Sequence, residues 1–261
     1  MGCYLNRIRK TWQRWHIRRL LAKHPIPQPL WHEVTGRITT LQHLDTHERV
    51  RLHELATWFL ANKVINGAHD LEVTPAMKVA IAAQACLLIL NLDVSYFDGW
   101  SEIILYPSAF RVQRNQPDAF GLVHPEASNL SGEAWLHGPV ILSWDDVARD
   151  IFNHQAGHNV VVHEFAHKLD GLNGAMNGMP PLRGSMHRER WTTALAHAYD
   201  ALCHEVATGK QPMLNPYAAT NPAEFFAVIS EYFFTAPQVL QSCCPDVHHQ
   251  LALFYLLPTK A

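Results

Sequence analysis

Residues His163, Glu164, Phe165, Ala166 and His167 carry the spacing H-E-x-x-H. On a helix, positions four apart differ by about 40° and lie one turn apart, so both imidazoles reach a single metal ion. Glu164 then stands beside that ion without occupying a coordination position. There it can take a proton from water whose pKa zinc lowers to about 7. The motif alone is weaker here than usual, because with 18 histidines a shuffled chain of this composition gives about 0.06 matches. Its surroundings add weight. Val160, Val161, Val162, Phe165, Ala166 and Leu169 predict a largely buried helix, and buried imidazoles beside a carboxylate are costly unless bonded or metallated.

Two histidines leave a catalytic zinc site one protein ligand short. The places three and six residues past His167 hold Asp170 and Asn173 rather than the Gly and His of the longer zinc motif, so a downstream carboxylate is needed. Glu189 lies at a workable distance, but His187, Arg188 and Arg190 around it read as a solvated face. Glu224 and Glu231 lie in NPAEFFAVISEYFF, residues 221–234, a helix apolar nearly all round where an unpaired carboxylate is expensive. Seven residues apart, they share a face. Either can bind a metal while the other pairs with a histidine N–H or an arginine; the plain alternative is a buried salt bridge for both. Asp170 offers a carboxylate to orient a ligand imidazole, or a simple loop contact at the helix end. His154 and His158 are not expected to be ligands, since His158 falls about 140° around the helix from His163.

The elements that must position these groups follow from pattern. Asp45 with Glu48 forms a capping box that opens a helix, and Thr74 with Pro75 starts another that runs to about residue 90. Its apolar run is interrupted by Gln84. Short β-type runs at 103–106, 110–112 and 140–143 predict a sheet of three or four strands. Helical periodicity then covers 159–170, 187–208, 221–234 and 238–257, the last interrupted at Pro245. Residues 1–24 predict a basic amphipathic arm with seven Lys or Arg and no acid before Glu33, followed by a stiff extended connector at Pro25, Pro27 and Pro29. That arm reads as a helix whose tryptophans pack on the body, or as a lipid or partner contact. Residues 25–261 are expected to form one domain.

Composition narrows the function classes. A formal net charge of −2 supplies no global field toward nucleic acid or an anionic membrane, so no direct nucleic-acid partner is expected. No apolar run is long enough to span a bilayer, and no secretory signal is visible. Five cysteines without a C-x-x-C pair predict neither a disulfide framework nor a thiolate metal site, and fit the cytoplasm best.

HEFAHKLDG, the preceding GHNVVVHE, the NPAEFFAVISEYFF helix, SGEAWLHGPVILSWDD and PAMKVAIAAQACLLIL together resemble the Mlc titration factor A family of zinc metallopeptidases. The resemblance covers roughly residues 24–254, in five blocks in the right order. That family is similar at its metal site to the lethal-factor catalytic domain, where a tyrosine seven residues before the AEFF-type glutamate faces the zinc. Tyr217 stands seven before Glu224. The resemblance therefore implies one Zn2+ held by His163, His167 and Glu224, with Glu164 as general base and Tyr217 as donor to the oxyanion. It implies an α+β, mostly helical, zincin-like domain with a small sheet beside the H-E-x-x-H helix, aminopeptidase-like activity on peptide substrates, and a transcriptional repressor of the Mlc type as a partner. The alternative function is a regulatory repressor-binding protein in which zinc is incidental or controls the binding surface. A purely structural zinc site is disfavoured, because two histidines and one carboxylate leave a position for water.

Overall fold

Side-chain caps set most helix starts in the computed structural model, which describes residues 25–108, 114–117, 123–126, 138–153 and 155–257. The basic arm, the strand expected at 110–112 and His154 lie outside the described residues. Helix α1 spans Gln28–Thr35. Its Pro29 sits in the first turn, where a missing N–H costs nothing, so the extended connector predicted through Pro29 ends at Pro27. Helix α2, Thr46–Asn62, opens on the predicted capping box: Asp45 Oδ1 accepts the Glu48 N–H at 2.8 Å, and Glu48 Oε2 accepts the Asp45 N–H at 2.9 Å. Helix α3, Pro75–Leu88, is capped by Thr74 and buried along nearly its whole length, Gln84 included.

The sheet has three parallel strands in the order β1–β2–β5. They are β1 (Val64–Gly67), β2 (Glu102–Tyr106) and β5 (Val140–Ser143), with Ile65 opposite Ile103 and Ile104 opposite Ile141. A separate antiparallel pair, β3 (Arg114–Pro117) and β4 (Val123–Glu126), lies between β2 and β5 in the chain. The strand β1 was not anticipated: only its Ile65 is buried, so it shows no alternation. Helix α4, Trp144–Phe152, follows β5 directly and is capped by Ser143.

The C-terminal half is helical as expected: α5 (Val160–Asp170), α6 (Arg188–Ala207), α7 (Pro222–Thr235), α8 (Pro237–Cys243) and α9 (Pro245–Tyr255). Helix α5 packs against α7, α3 and β5. Phe165, in the middle of the H-E-x-x-H segment, is fully buried among Phe59, Phe97 and Trp100, with ring centroids 5.3–5.7 Å away. Truncating such a ring costs about 3–5 kcal/mol. This apolar anchor fixes the rotation of α5. None of the described helices is long and apolar enough to cross a membrane.

Candidate metal centre

Asn159 starts helix α5 and organises its first turn. Its Oδ1 accepts the Val162 N–H at 2.9 Å, and its side-chain nitrogen donates to Gln84 Oε1 at 2.7 Å, tying α5 to α3. Asp150 on α4 adds a second support, accepting the Val160 N–H at 2.7 Å. Helix α7 is started by Asn221, whose Oδ1 accepts the N–H groups of Ala223 at 2.9 Å and Glu224 at 3.0 Å. With both helix starts fixed, His163, His167 and Glu224 project into the same space.

One ligand atom from each of these three residues lies within 4.8 Å of the other two. His163 Nε2 is 3.0 Å from Glu224 Oε2 and 3.2 Å from His167 Nε2, and His167 Nε2 is 3.4 Å from that same Glu224 oxygen. Glu231, one face of α7 shared with Glu224, meets the other side of the His163 ring: its Oε1 accepts from Nδ1 at 2.7 Å. A proton on Nδ1 leaves the neutral ring with a lone pair at Nε2, aimed at a carboxylate oxygen and a second imidazole nitrogen.

That cluster requires positive charge at its middle. Burial pulls the His163 pKa down, but its hydrogen bonds to Glu224 and Glu231 win and raise it well above the ordinary value. Burial likewise pushes Glu224 up, yet its bonds to His163 and His167 hold it far below the usual carboxylate range. A proton or a metal ion can supply the charge. Two imidazole nitrogens and one carboxylate oxygen are a donor set that suits zinc and leaves a fourth position open, so the residues fit such an ion.

Glu164 is partly buried one residue along, and burial raises its carboxyl pKa against the pull of His163 and His167. Tyr217 lies on a 3-10 turn, Pro216–Ala219, that precedes α7; its ring centroid is 6.2 Å from that of His163. Asp170 does not bond an imidazole. Its Oδ2 accepts the Gly178 N–H at 2.8 Å, and burial pushes its pKa up to about 6. Its Oδ1 and the His167 Nδ1 are both buried without a hydrogen-bond partner, so both of its expected roles stay open. Glu189 is exposed on α6 and faces a groove away from the three converging donors. His158 bonds Asp150 at 2.7 Å and stays outside the cluster. Sequence reasoning gave no role to Gln84 or Asp150, although an amide inside AIAAQACLLIL was a visible signal.

A family model described as glucose-regulated metallo-peptidase M90 matches residues 12–256. The chain is 39% identical over 228 residues to the Mlc titration factor A of Yersinia pestis, across 86% of this chain and 83% of the relative. The same figures hold for the Mlc titration factor A of Yersinia pseudotuberculosis. It is 36% identical over 249 residues to the uncharacterized protein slr2042 of Synechocystis sp., across 94% of this chain and 90% of the relative.

Proposed function

The chain belongs to the glucose-regulated metallo-peptidase M90 family, and from that premise we propose that it hydrolyses peptide bonds with one zinc ion held by His163, His167 and Glu224. The convergence of two imidazole nitrogens and a carboxylate oxygen within 4.8 Å carries this reading. Bound there, zinc would supply a water of lowered pKa and polarisation of the scissile carbonyl. Glu164 would serve as the general base toward water and then as the proton donor to the departing amine, roles suited by a carboxyl whose pKa burial has raised. The Tyr217 phenol donates to the oxyanion that develops on the substrate. Glu231 keeps the His163 Nδ1 proton in place and so directs Nε2 inward. Residues 25–261 act as one zincin-like unit, with aminopeptidase-like preference for short peptides. The free cysteines fit a reducing compartment, so the proposed location is the cytoplasm.

A second reading is supported by the printed names of the Yersinia relatives: this chain binds and titrates a repressor of the Mlc type, with zinc incidental or controlling the binding surface. Metal analysis and peptide hydrolysis on the same samples test both. Wild type is expected to carry stoichiometric zinc and cleave; Glu224→Ala loses both; Glu164→Gln keeps zinc and repressor binding but loses hydrolysis. Zinc retained in Glu224→Ala but lost in Glu231→Ala or Glu189→Ala would overturn the third ligand. Unchanged turnover in Glu164→Gln would reject the base. Repressor capture by a zinc-loaded wild type that cleaves nothing would favour the second reading.

A further inference from the structure

Gln84 is the one side-chain amide in α3, and it is almost fully buried, between Ala83 and Ala85 that are buried too. Packing does not call for it there. A methionine of similar length would fill the space with no amide to desolvate, and a buried amide is costly unless it is bonded. Both ends of Gln84 are bonded. Nε2 donates to the Ala80 carbonyl one turn back at 3.2 Å, and Oε1 accepts from Asn159 Nδ2 at 2.7 Å.

These bonds have a direction. The Ala80 carbonyl can only accept, so the nitrogen end of Gln84 faces it and the oxygen end faces Asn159. Asn159 must then offer its Nδ2, which leaves Oδ1 for the Val162 N–H at 2.9 Å. With the side chain held at both ends, the Asn159 backbone makes two more contacts: its N–H donates to Glu231 Oε2 at 2.5 Å, and its carbonyl accepts the His163 N–H at 2.9 Å. Glu231 Oε1 in turn accepts from His163 Nδ1. Of the four groups that Asn159 engages, Gln84 alone lies outside the two helices that carry the candidate ligands. We propose that Gln84 is a positioning residue of the metal centre. Three hydrogen bonds from the His163 ring, it locks Asn159, and through Asn159 the Glu231 carboxylate, in the arrangement that turns His163 Nε2 toward Glu224 and His167. The inference rests on the reading of His163 as a zinc ligand and extends that site to a third helix.

The test is zinc affinity of the purified full chain, by competition with a chelator, beside the visible spectrum of the Co2+-loaded protein, which reports ligand geometry. Gln84→Met removes the acceptor and leaves Asn159 Nδ2 unpaired; it is expected to weaken zinc about tenfold, the lower end of the range for groups that orient a ligand, and to shift the Co2+ bands. Val79→Ala removes a buried side chain about 140° around the same helix; it should lower the melting temperature yet keep the affinity and the Co2+ spectrum. Residues acting in one network are not additive, so in a Glu231→Gln background Gln84→Met should change affinity by less than about twofold. Should Gln84→Met fail to fold, Gln84→Ala, which also removes the acceptor, carries the same expectations. Wild-type zinc affinity in the folded Gln84 variant, an equal loss in Val79→Ala, or a full tenfold effect retained in the Glu231→Gln background would overturn this inference alone. A wild type that takes up no zinc would overturn the metal-centre reading and this inference with it.

Discussion

Glu231 holds the ring of His163 and the start of its helix with one carboxylate. Oε1 accepts from His163 Nδ1 at 2.7 Å, and Oε2 accepts the backbone N–H of Asn159 at 2.5 Å. The ring orientation and the helix register are therefore set by the same buried group. Glu224, one pair of turns earlier on α7, meets the opposite nitrogen of the same ring.

Replacing Glu231 by Gln keeps the shape but removes the charge that steadies the Nδ1 proton. Zinc affinity, measured by competition with a chelator, is expected to fall about 10–100-fold. Glu189→Gln, on the exposed face of α6, should leave it unchanged.

Tyr217→Phe removes one donor to the developing oxyanion. If the phenol acts as proposed, kcat falls about 10²–10³-fold, in line with loss of one oxyanion donor, with KM little altered and zinc content intact. Steady-state kinetics beside metal analysis separates this from mere loosening of the loop, which would move KM and melting temperature instead.

The His158–Asp150 pair predicts a pH dependence of stability. Its hydrogen bond to Asp150 raises the His158 pKa above its ordinary value, against the opposing effect of burial. A folded pKa above the unfolded one adds stability that is complete below about pH 6.5 and disappears as pH rises through the folded value. Urea unfolding of wild type and His158→Ala should therefore show the larger difference in acid and a shrinking one toward alkaline pH. A difference that grows with pH would contradict the pairing.

Gly178 has φ +75°, and a Cβ there would stand 2.7 Å from the carbonyl oxygen of Pro222 in the first turn of α7. Its N–H meets Asp170 and its carbonyl accepts the Trp191 indole N–H at 3.0 Å. Gly178→Ala is expected to cost about 1–3 kcal/mol from backbone strain alone, seen as a lower urea midpoint. The displaced first turn of α7 carries Glu224, so zinc affinity should fall in parallel.

Much of this architecture is written in local chemistry. The Asp45–Glu48 box, Thr74 and Asn159 mark helix starts because a side-chain oxygen must meet the first free N–H groups, and Pro245 marks the break between α8 and α9 for the converse reason. Helix α4 carries the same kind of start signal, Ser143 followed three residues later by Asp146. What could not be read was tertiary. Glu224 and Glu231 share one face of one apolar helix, and only the crossing of α7 over α5 decides which meets both Nε2 atoms and which meets Nδ1. Strand β1 was hidden because its identity comes from pairing with β2, not from its own pattern.

Unwinding of a helix ordinarily begins at its ends, where hydrogen bonds are fewest. In α5 that end is where α3, α4 and α7 meet it, through Gln84, Asp150 and Glu231. The turn just ahead of His163 therefore cannot fray alone. Its opening draws in three neighbours, and the paired imidazoles inherit the cooperativity of the whole core rather than the looseness of a terminus.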